Sequence, residues 1–259
     1  MKYAHTADQQ DVRSRLLKDI WARNLFPEMK LQEVLGLYEK YRDDLRLVKE
    51  QQQVLFARRE SIGLVPQLCD IEAEISYLRI REYKPDTVVE ISPASGWSTS
   101  WILHALQKNG LGTLHSYDLV EDCTRVIPHH LAEGRWQFYQ GDIKENIGLL
   151  PAEAEYLFID SDHSAEFAYW YIAHLFPLFG KGKTKVSVHD ILKWPHEPGW
   201  GEESPVLCSW LAENRKDCMT ACRIMRDKGY DAIVQKRKML GLDSVIQTAD
   251  YNSMIFFEL

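Results

Sequence analysis

The chain has 259 residues, enough for one large α/β domain with a helical extension. It is 45% hydrophobic and 27% charged, without an apolar run of about 18 residues, which argues against a membrane span. A net charge of −7 makes nucleic acid a poor partner, so we expect a small-molecule or glycan ligand. The first residues show no secretory pattern, and we expect a cytoplasmic protein.

The cysteines occur in an odd number, with no C-x-x-C and no paired Cys/His spacing. This predicts reduced thiols rather than a disulfide framework or a structural zinc site. Cys218 and Cys222, four residues apart in a predicted helix, are interpreted as two semi-buried helix residues. The five cysteines are Cys69, Cys123, Cys208, Cys218 and Cys222.

The first region of the chain, residues 1–69, is predicted to be a helical segment that precedes a main domain at residues 70–259. Pro27 divides it into two helices. In the second, apolar residues recur every three to four positions, which predicts an amphipathic helix or a short helical hairpin. These residues are Leu31, Leu35, Tyr38, Tyr41, Leu45, Val48 and Leu55. Three interpretations stay open: the apolar face packs on its own domain, joins two copies of the chain, or covers a substrate as a lid.

From Thr87 onward, strand patterns alternate with helix patterns. The predicted strands are Thr87–Ile91, Gly112–Asp118, Trp136–Gln140, Tyr156–Asp160, Lys185–Asp190, Asp231–Arg237 and Ser253–Glu258. The predicted helices are Thr99–Lys108, Glu121–Leu131, Ile143–Leu149, Ala165–Leu178 and Ser204–Lys228, the last with a break. This order predicts a Rossmann-like, doubly wound α/β fold with a seven-stranded, mostly parallel sheet. The last two strands are expected to be antiparallel at the sheet edge.

Carboxylates stand at or just after the ends of five consecutive predicted parallel strands. They are Glu90, Asp118, Asp142, Asp160 and Asp190. Ligands of such sheets bind beyond the carboxyl ends of the strands. Five acids at one edge therefore predict a site for a hydroxylated ligand and a cation. Asp118, at the end of the second strand, suits hydrogen bonds to ribose hydroxyls.

The fourth and fifth strands end with residues suited to metal-assisted proton transfer. Asp160 and Asp190 supply hard oxygen ligands of the kind that Mg²⁺ prefers. His163, three residues after Asp160, is placed to take a proton from a hydroxyl. Asp162 is interpreted as an ordinary capping residue of the next helix.

The turn SPASGWS after the first strand lacks the G-x-G-x-x-G pattern of dinucleotide sites, because Gly96 is its one glycine. A nucleoside without a pyrophosphate requires less close backbone approach than a dinucleotide. The pattern therefore disfavours a nicotinamide oxidoreductase.

A family resemblance rests on four segments: VVEISPASGWSTSW, GTLHSYD, QGD, and YLFIDSDHSAEFAYWYIAHLFPLFGKGKTKVSVHD. Over residues 70–192 the chain resembles the class I S-adenosylmethionine-dependent methyltransferases. More narrowly, it is similar to the metal-dependent small-molecule O-methyltransferases of the catechol, macrolide-sugar and cephalosporin-biosynthesis types. The resemblance implies S-adenosylmethionine and Mg²⁺ as cofactors. It places Asp118 at the ribose, Asp142 at the adenine, and around the methionine part Glu90, Ser92, Gly96 and Ser98.

The resemblance also assigns the acids and histidines of the later strands. Asp160 and Asp190 would bind the metal, and His163 would be the general base. His189 stands where the relatives have an acid, so it would serve as a nitrogen ligand, hold a water, or indicate a weakened cation site. Ser92 stands where they have a glycine, and it is expected to approach the ligand closely provided its φ stays negative.

The predicted activity is methyl transfer to a hydroxyl of a sugar, a glycan or a glycosylated small molecule. Trp194, His196 and Trp200 are expected to overhang the acceptor, or else to pack on their own surface. One alternative is a metal-free or catechol-type enzyme. Another is a catalytically inactive partner protein that uses the N-terminal helices as its interface.

Overall fold

A computed structural model describes residues 28–180, 183–192, 202–222, 228–248 and 253–259. The helices are α1 Glu28–Lys40, α2 Arg42–Ala57, α3 Arg59–Ile62, α4 Asp70–Tyr83, α5 Trp97–Asn109, α6 Asp122–Val126, α7 His129–Ala132, α8 Ala165–Phe179, α9 Glu203–Glu213 and α10 Lys228–Met239. The strands are β1 Thr87–Ile91, β2 Thr113–Asp118, β3 Trp136–Gln140, β4 Tyr156–Ile159, β5 Lys185–Val188, β6 Cys218–Thr220 and β7 Ile255–Glu258.

The strands form one seven-stranded sheet in the order β3-β2-β1-β4-β5-β7-β6. β1 to β5 are parallel, and β7 pairs antiparallel with both β5 and β6. This confirms the predicted Rossmann-like sheet with an antiparallel end. The order in which successive strands are added to the sheet reverses between β1 and β4, and folds of this kind bind ligands at that point. Ile91, Ile159 and Val188 lie in one register row, so the residues that follow them meet at one edge.

Two apolar cores cover the two faces of the sheet, because successive strand side chains point to opposite sides. Val88 belongs to the core beneath α4 and α5, whereas its neighbour Val89 belongs to the core beneath α8 and α9. The side chains of β4 are buried throughout, as expected for a central parallel strand. Helices on both faces thus fix the strand ends that carry the site.

The apolar face of the N-terminal helices packs on the same chain. Tyr38, Leu45 and Val48 are fully buried in the core that also contains α4 and α5. α1 contacts α4 and α10, and α2 contacts α5. Of the three interpretations, these contacts favour packing on the chain's own domain. The division at residues 69 and 70 stays a prediction, as does a helix before Pro27, which lies outside the described residues.

Buried charges join these helices to the rest of the fold. Lys49 on α2 lies 2.5 Å from Glu74 on α4, and Arg237 on α10 lies 3.0 Å from the same carboxylate oxygen. The hydroxyl of Tyr38 donates to the other Glu74 oxygen at 2.9 Å. Because a buried charge is costly without its partners, Lys49, Glu74 and Arg237 stabilise the fold only as a set.

Two predictions in the last third of the chain are wrong. Asp231–Arg237 is not a strand but part of α10, where Ile233 and Arg237, four residues apart, share the buried face. A short apolar run does not distinguish helix from strand. The predicted helix Ser204–Lys228 ends at Glu213, and Arg215 follows in the left-handed region with φ +52°. The chain then forms β6, the true partner of β7.

Three smaller predictions are also corrected. The predicted helix Glu121–Leu131 is interrupted at Pro128, because the residue before a proline is biased to extended backbone, and Ile127 is extended. The predicted helix Ile143–Leu149 retains only one short 3₁₀ turn at Ile147–Leu149. Cys218 lies in β6, not in a helix.

All five cysteines lie in the described part of the chain, where they are buried and form no disulfide with one another. Among the described helices, none combines the length and the apolar character that a membrane crossing requires.

Candidate active site

The turn after β1 holds three left-handed residues in alternation. φ is +61° at Ser92, +47° at Ala94 and +93° at Gly96. The condition of a negative φ at Ser92 is therefore not met, and the close approach of Ser92 to a ligand stays a prediction. Asp118 holds the turn, since its carboxylate accepts a hydrogen bond from the Ala94 N–H at 2.8 Å. Two more N–H groups of the turn are bonded within the protein, that of Ser92 to the Tyr117 carbonyl and that of Gly96 to the Pro93 carbonyl, both at 2.8 Å.

Gly96 is required by both its backbone and its neighbours. A Cβ there would lie 3.1 Å from the Cβ of Cys123 and 3.2 Å from Ile127. The small residues before Trp97 thus allow α6 to pack against the start of α5. Trp97 itself is buried, and its indole N–H donates to the Leu68 carbonyl at 3.1 Å.

Glu90 lies wholly inside the protein beneath this turn. Its carboxylate accepts hydrogen bonds from three hydroxyls: Ser98 at 2.6 Å, Thr99 at 2.9 Å and Ser116 at 2.6 Å. Burial raises the pKa of Glu90 to about 7, although the three hydroxyls oppose the shift. Glu90 and Ser98 therefore support the turn from below, and their contact with the methionine part stays a prediction.

A cleft of about 500 Å³ opens at the carboxyl ends of β1 to β4. Three predicted site residues line it, namely Ser92, Asp118 and Asp142. The sequence prediction missed the apolar lining, which includes Leu119, Ile143 and Phe167. An apolar residue directly after a predicted acid, such as Ile143 after Asp142, was the available signal, because a flat heterocycle needs apolar walls.

The acids and histidines after β4 and β5 converge beside this cleft. We call Asp160, His163, His189, Asp190 and Glu203 the carboxylate–imidazole cluster. Nε2 of His163 lies 3.7 Å from Asp160 and 3.8 Å from Asp190, between the two acids. Nδ1 of His189 lies 3.0 Å from the same Asp160 oxygen. The predicted residues are therefore brought together at one edge.

The sequence prediction missed Glu203 altogether. Its carboxylate lies 2.9 Å from Nδ1 of His163, and both side chains are largely buried. Burial disfavours a charged His163 ring, but the bond to Glu203 and the charges of Asp160 and Asp190 outweigh it, so the pKa of His163 is raised. No signal in the sequence linked two residues forty positions apart.

His189 connects the cluster to α4. Its Nε2 lies 3.5 Å from Glu72 and 3.6 Å from Asp190. Burial disfavours charge on this ring as well, yet the surrounding carboxylates of Asp160, Glu72 and Asp190 raise the pKa of His189 well above its ordinary value. Glu72 is itself buried and accepts the backbone N–H of Met254 at 2.9 Å.

These side chains, as arranged, do not fit a magnesium ion. Each ring nitrogen of His189 faces a carboxylate, and His163 lies between Asp160 and Asp190, where a shared cation would bind. Asp190 also accepts a hydrogen bond from Ser253 at 2.7 Å. In the described parts of the chain, no group of three or more His, Cys, Asp or Glu side chains is placed to hold a metal ion. Trp194, His196 and Trp200, the residues expected over the acceptor, lie outside the described residues.

Comparisons with known proteins agree with this fold. A sequence family described as a methyltransferase domain matches residues 89–191. No curated protein matches the chain significantly.

Among solved structures, the chain is similar to TomG, an O-methyltransferase from Streptomyces achromogenes involved in tomaymycin synthesis and solved with S-adenosylmethionine. The TM-score is 0.54, with 15% identity, covering 80% of this chain and 88% of that chain. It is also similar to an O-methyltransferase from Bacillus cereus in complex with S-adenosylhomocysteine. There the TM-score is 0.53, with 11% identity, covering 88% of this chain and 99% of that chain. Residues 89–191 therefore match a methyltransferase domain, in a chain that shares the fold of these two O-methyltransferase structures.

Proposed function

We propose that the protein transfers a methyl group from S-adenosylmethionine to a hydroxyl oxygen of a small acceptor. One observation carries the proposal. Ser161 and Asp162 line the cleft, and His163 is the next residue in the chain. A proton acceptor thus stands beside the pocket expected for the methyl donor. General-base help of this kind contributes about 10²- to 10⁴-fold to a rate.

The residues of the cleft divide the work of binding. Asp118 is proposed to accept hydrogen bonds from the ribose hydroxyls, and Asp142 to bind the adenine beside Ile143 and Phe167. Ser92 and Gly96 are proposed to lie beside the methionine part, with their own N–H groups bonded to the carbonyls of Tyr117 and Pro93. When bound, S-adenosylmethionine supplies an activated methyl group on a positively charged sulfur. Fixing the donor and the acceptor in line supplies much of the rate enhancement.

The acceptor is proposed to be a sugar, a glycan or a glycosylated small molecule. The support is the density of carboxylates in the carboxylate–imidazole cluster, because carboxylates accept hydrogen bonds from hydroxyls. Asp160 and Asp190 both lie near Nε2 of His163, so a hydroxyl bound to either carboxylate has an acceptor for its proton within reach.

Magnesium assistance, with Asp160, His189 and Asp190 as ligands, stays a prediction that the donor arrangement does not support. The proposed mechanism contains no step through a metal. The donor arrangement favours the metal-free alternative. The rate of methyl transfer is compared in the presence of a chelator and in the presence of added Mg²⁺. Full activity in chelator supports the metal-free form, whereas its loss and recovery with Mg²⁺ would restore the metal prediction.

Cytoplasmic location and pairing of two copies through the N-terminal helices also stay predictions. The buried cysteines without disulfides support a reducing compartment. A contact between copies would use residues outside the apolar face, such as the exposed Leu47 and Val54.

The test begins with calorimetric titration of the full chain with S-adenosylhomocysteine. Micromolar affinity is expected for the wild type, with at least about tenfold weaker binding for Asp118→Asn because a ribose acceptor is lost. The exposed Asp122→Asn is the matched control. A screen of hydroxylated acceptors for the mass gain of one methyl group follows. Absence of S-adenosylhomocysteine binding would overturn the proposed function.

A further inference from the structure

Glu203 is tied to His163 by two separate contacts. Its carboxylate oxygen Oε2 lies 2.9 Å from Nδ1 of the imidazole. Its backbone N–H donates to the His163 carbonyl at 3.1 Å. The Glu203 side chain is 1% exposed and the His163 side chain 10%. The first turn of α9 therefore fixes both the backbone and the ring of His163.

His163 has a strained backbone. Its φ is +59°, in the left-handed region, which costs a non-glycine residue about 1–2 kcal/mol. Such strain persists where the surrounding contacts impose it, and it concentrates at functional sites. The two bonds from Glu203 are contacts of this kind.

The contacts of Glu203 differ from those of a buried acid with a structural role. Asp70 uses both carboxylate oxygens, which accept the backbone N–H groups of Ile246 and Gln247. Glu203 Oε1, in contrast, makes no hydrogen bond of normal length within the described residues. The buried Tyr171 hydroxyl is near enough for the charge of Glu203 to add to burial in raising the pKa of Tyr171. Among the described residues, the side-chain hydrogen bond of normal length that the Glu203 carboxylate makes goes to His163, and the Tyr171 hydroxyl adds a weaker interaction.

We propose that Glu203 is a positioning residue for methyl transfer, which accepts the Nδ1–H bond of His163 and so directs Nε2 toward the acceptor hydroxyl. An ionised carboxylate can only accept, so the neutral ring must carry its proton on Nδ1 and its lone pair on Nε2. This inference rests on the proposed function.

The reaction balances as follows. The acceptor oxygen forms a bond to the methyl carbon while the methyl–sulfur bond breaks and leaves its electron pair on sulfur. The hydroxyl proton passes to Nε2 of His163. The positive charge thus moves from sulfur to the imidazole, next to Glu203, which stabilises it.

The test compares Glu203→Gln with Glu202→Gln, an exposed neighbour that loses the same charge. For Glu203→Gln, kcat is expected to fall about 10²-fold, with acceptor KM and S-adenosylhomocysteine affinity changed less than about twofold. Glu203→Asp should recover part of kcat, and Glu202→Gln should match the wild type. NMR of isotope-labelled histidine identifies the protonated nitrogen of His163, assigned by its loss in His163→Asn. The neutral ring should carry Nδ1–H in the wild type and lose this preference in Glu203→Gln.

Unchanged kcat in Glu203→Gln, or an Nε2–H tautomer in the folded wild type, would overturn the positioning role. A parallel loss of kcat, cofactor affinity and thermal stability would also overturn it, because that pattern indicates a structural role. The two proposals fail separately. If the wild type does not bind S-adenosylhomocysteine, the proposed function fails, whereas the tautomer measurement, which needs no acceptor, still decides the role of Glu203.

Discussion

The two halves of the site are built by different means. The half after β1 to β3 is a turn fixed by backbone conformation and by one buried acid that three hydroxyls surround. The half after β4 and β5 is the carboxylate–imidazole cluster, where ionisable groups contact one another. The first half provides a rigid pocket wall that carries the Asp118 and Asp142 carboxylates, and the second contains a histidine that can take up a proton. Binding should therefore depend on the first half and proton transfer on the second.

The largest test of this difference is His163→Asn. We expect kcat to fall about 10²- to 10⁴-fold, because the proton acceptor is lost. Affinity for S-adenosylhomocysteine, measured by calorimetry, should remain within about twofold of the wild type, since the ring is outside the cofactor wall. His129→Asn, at a histidine side chain that is 87% exposed, is the control. An equal loss of binding and rate would show that the two halves do not divide these roles.

Glu90→Gln tests the raised pKa of the acid buried beneath the turn in the first half. Its pKa is about 7 when folded against an ordinary value of 4.5, so folding favours the protonated form. The stability this provides is complete below the ordinary pKa and is lost as pH rises through about 7, a difference of about 3 kcal/mol. Glu90→Gln cannot ionise and should therefore gain stability relative to the wild type over that range.

Urea unfolding of both proteins between about pH 5 and pH 8 measures this difference. A constant gap in the free energy of unfolding across the range would contradict the raised pKa.

Gly96→Ala tests the rigidity of the turn. Left-handed strain and the approach to Cys123 and Ile127 should together destabilise the fold by about 2 kcal/mol and weaken S-adenosylhomocysteine binding. Gly134→Ala is the control, because φ is +72° there and a Cβ would meet open space. It should lose only about 1 kcal/mol, with no effect on binding. Equal thermal shifts for the two variants would indicate that packing against α6 does not matter.

The smallest expected effect is a gain. Ser92→Gly removes the left-handed strain at φ +61°, which should stabilise the protein by up to about 1 kcal/mol and leave binding unchanged or slightly tighter. Ala94→Gly, at φ +47°, should behave similarly. Destabilisation of both variants in thermal unfolding would show that the side chains contribute more than the strain costs.

The two halves also differed in how far the sequence predicted them. β1 and β3 were predicted with their observed bounds, because runs of β-branched and aromatic residues are local patterns. His163 and Asp190 were predicted to meet, since parallel strand ends share an edge. Glu203 and Glu72 were not predicted, because each looks like an ordinary helix residue until tertiary packing brings it to an imidazole. The strand assigned to Asp231–Arg237 failed for a different reason, because a short apolar run does not distinguish a helix from a strand.

The contacts of Glu74 with Lys49 and Arg237 have a practical consequence for truncation. A shorter protein that begins at residue 70 would retain Glu74 and Arg237 but lose the lysine and the Tyr38 hydroxyl that donate to the Glu74 carboxylate. Water would reach the surface of α4 and α10 that the N-terminal helices cover, and both helices would become less stable. The helices that precede residue 70 are thus expected to melt together with the sheet in one cooperative transition, and a minimal catalytic fragment would have to include them.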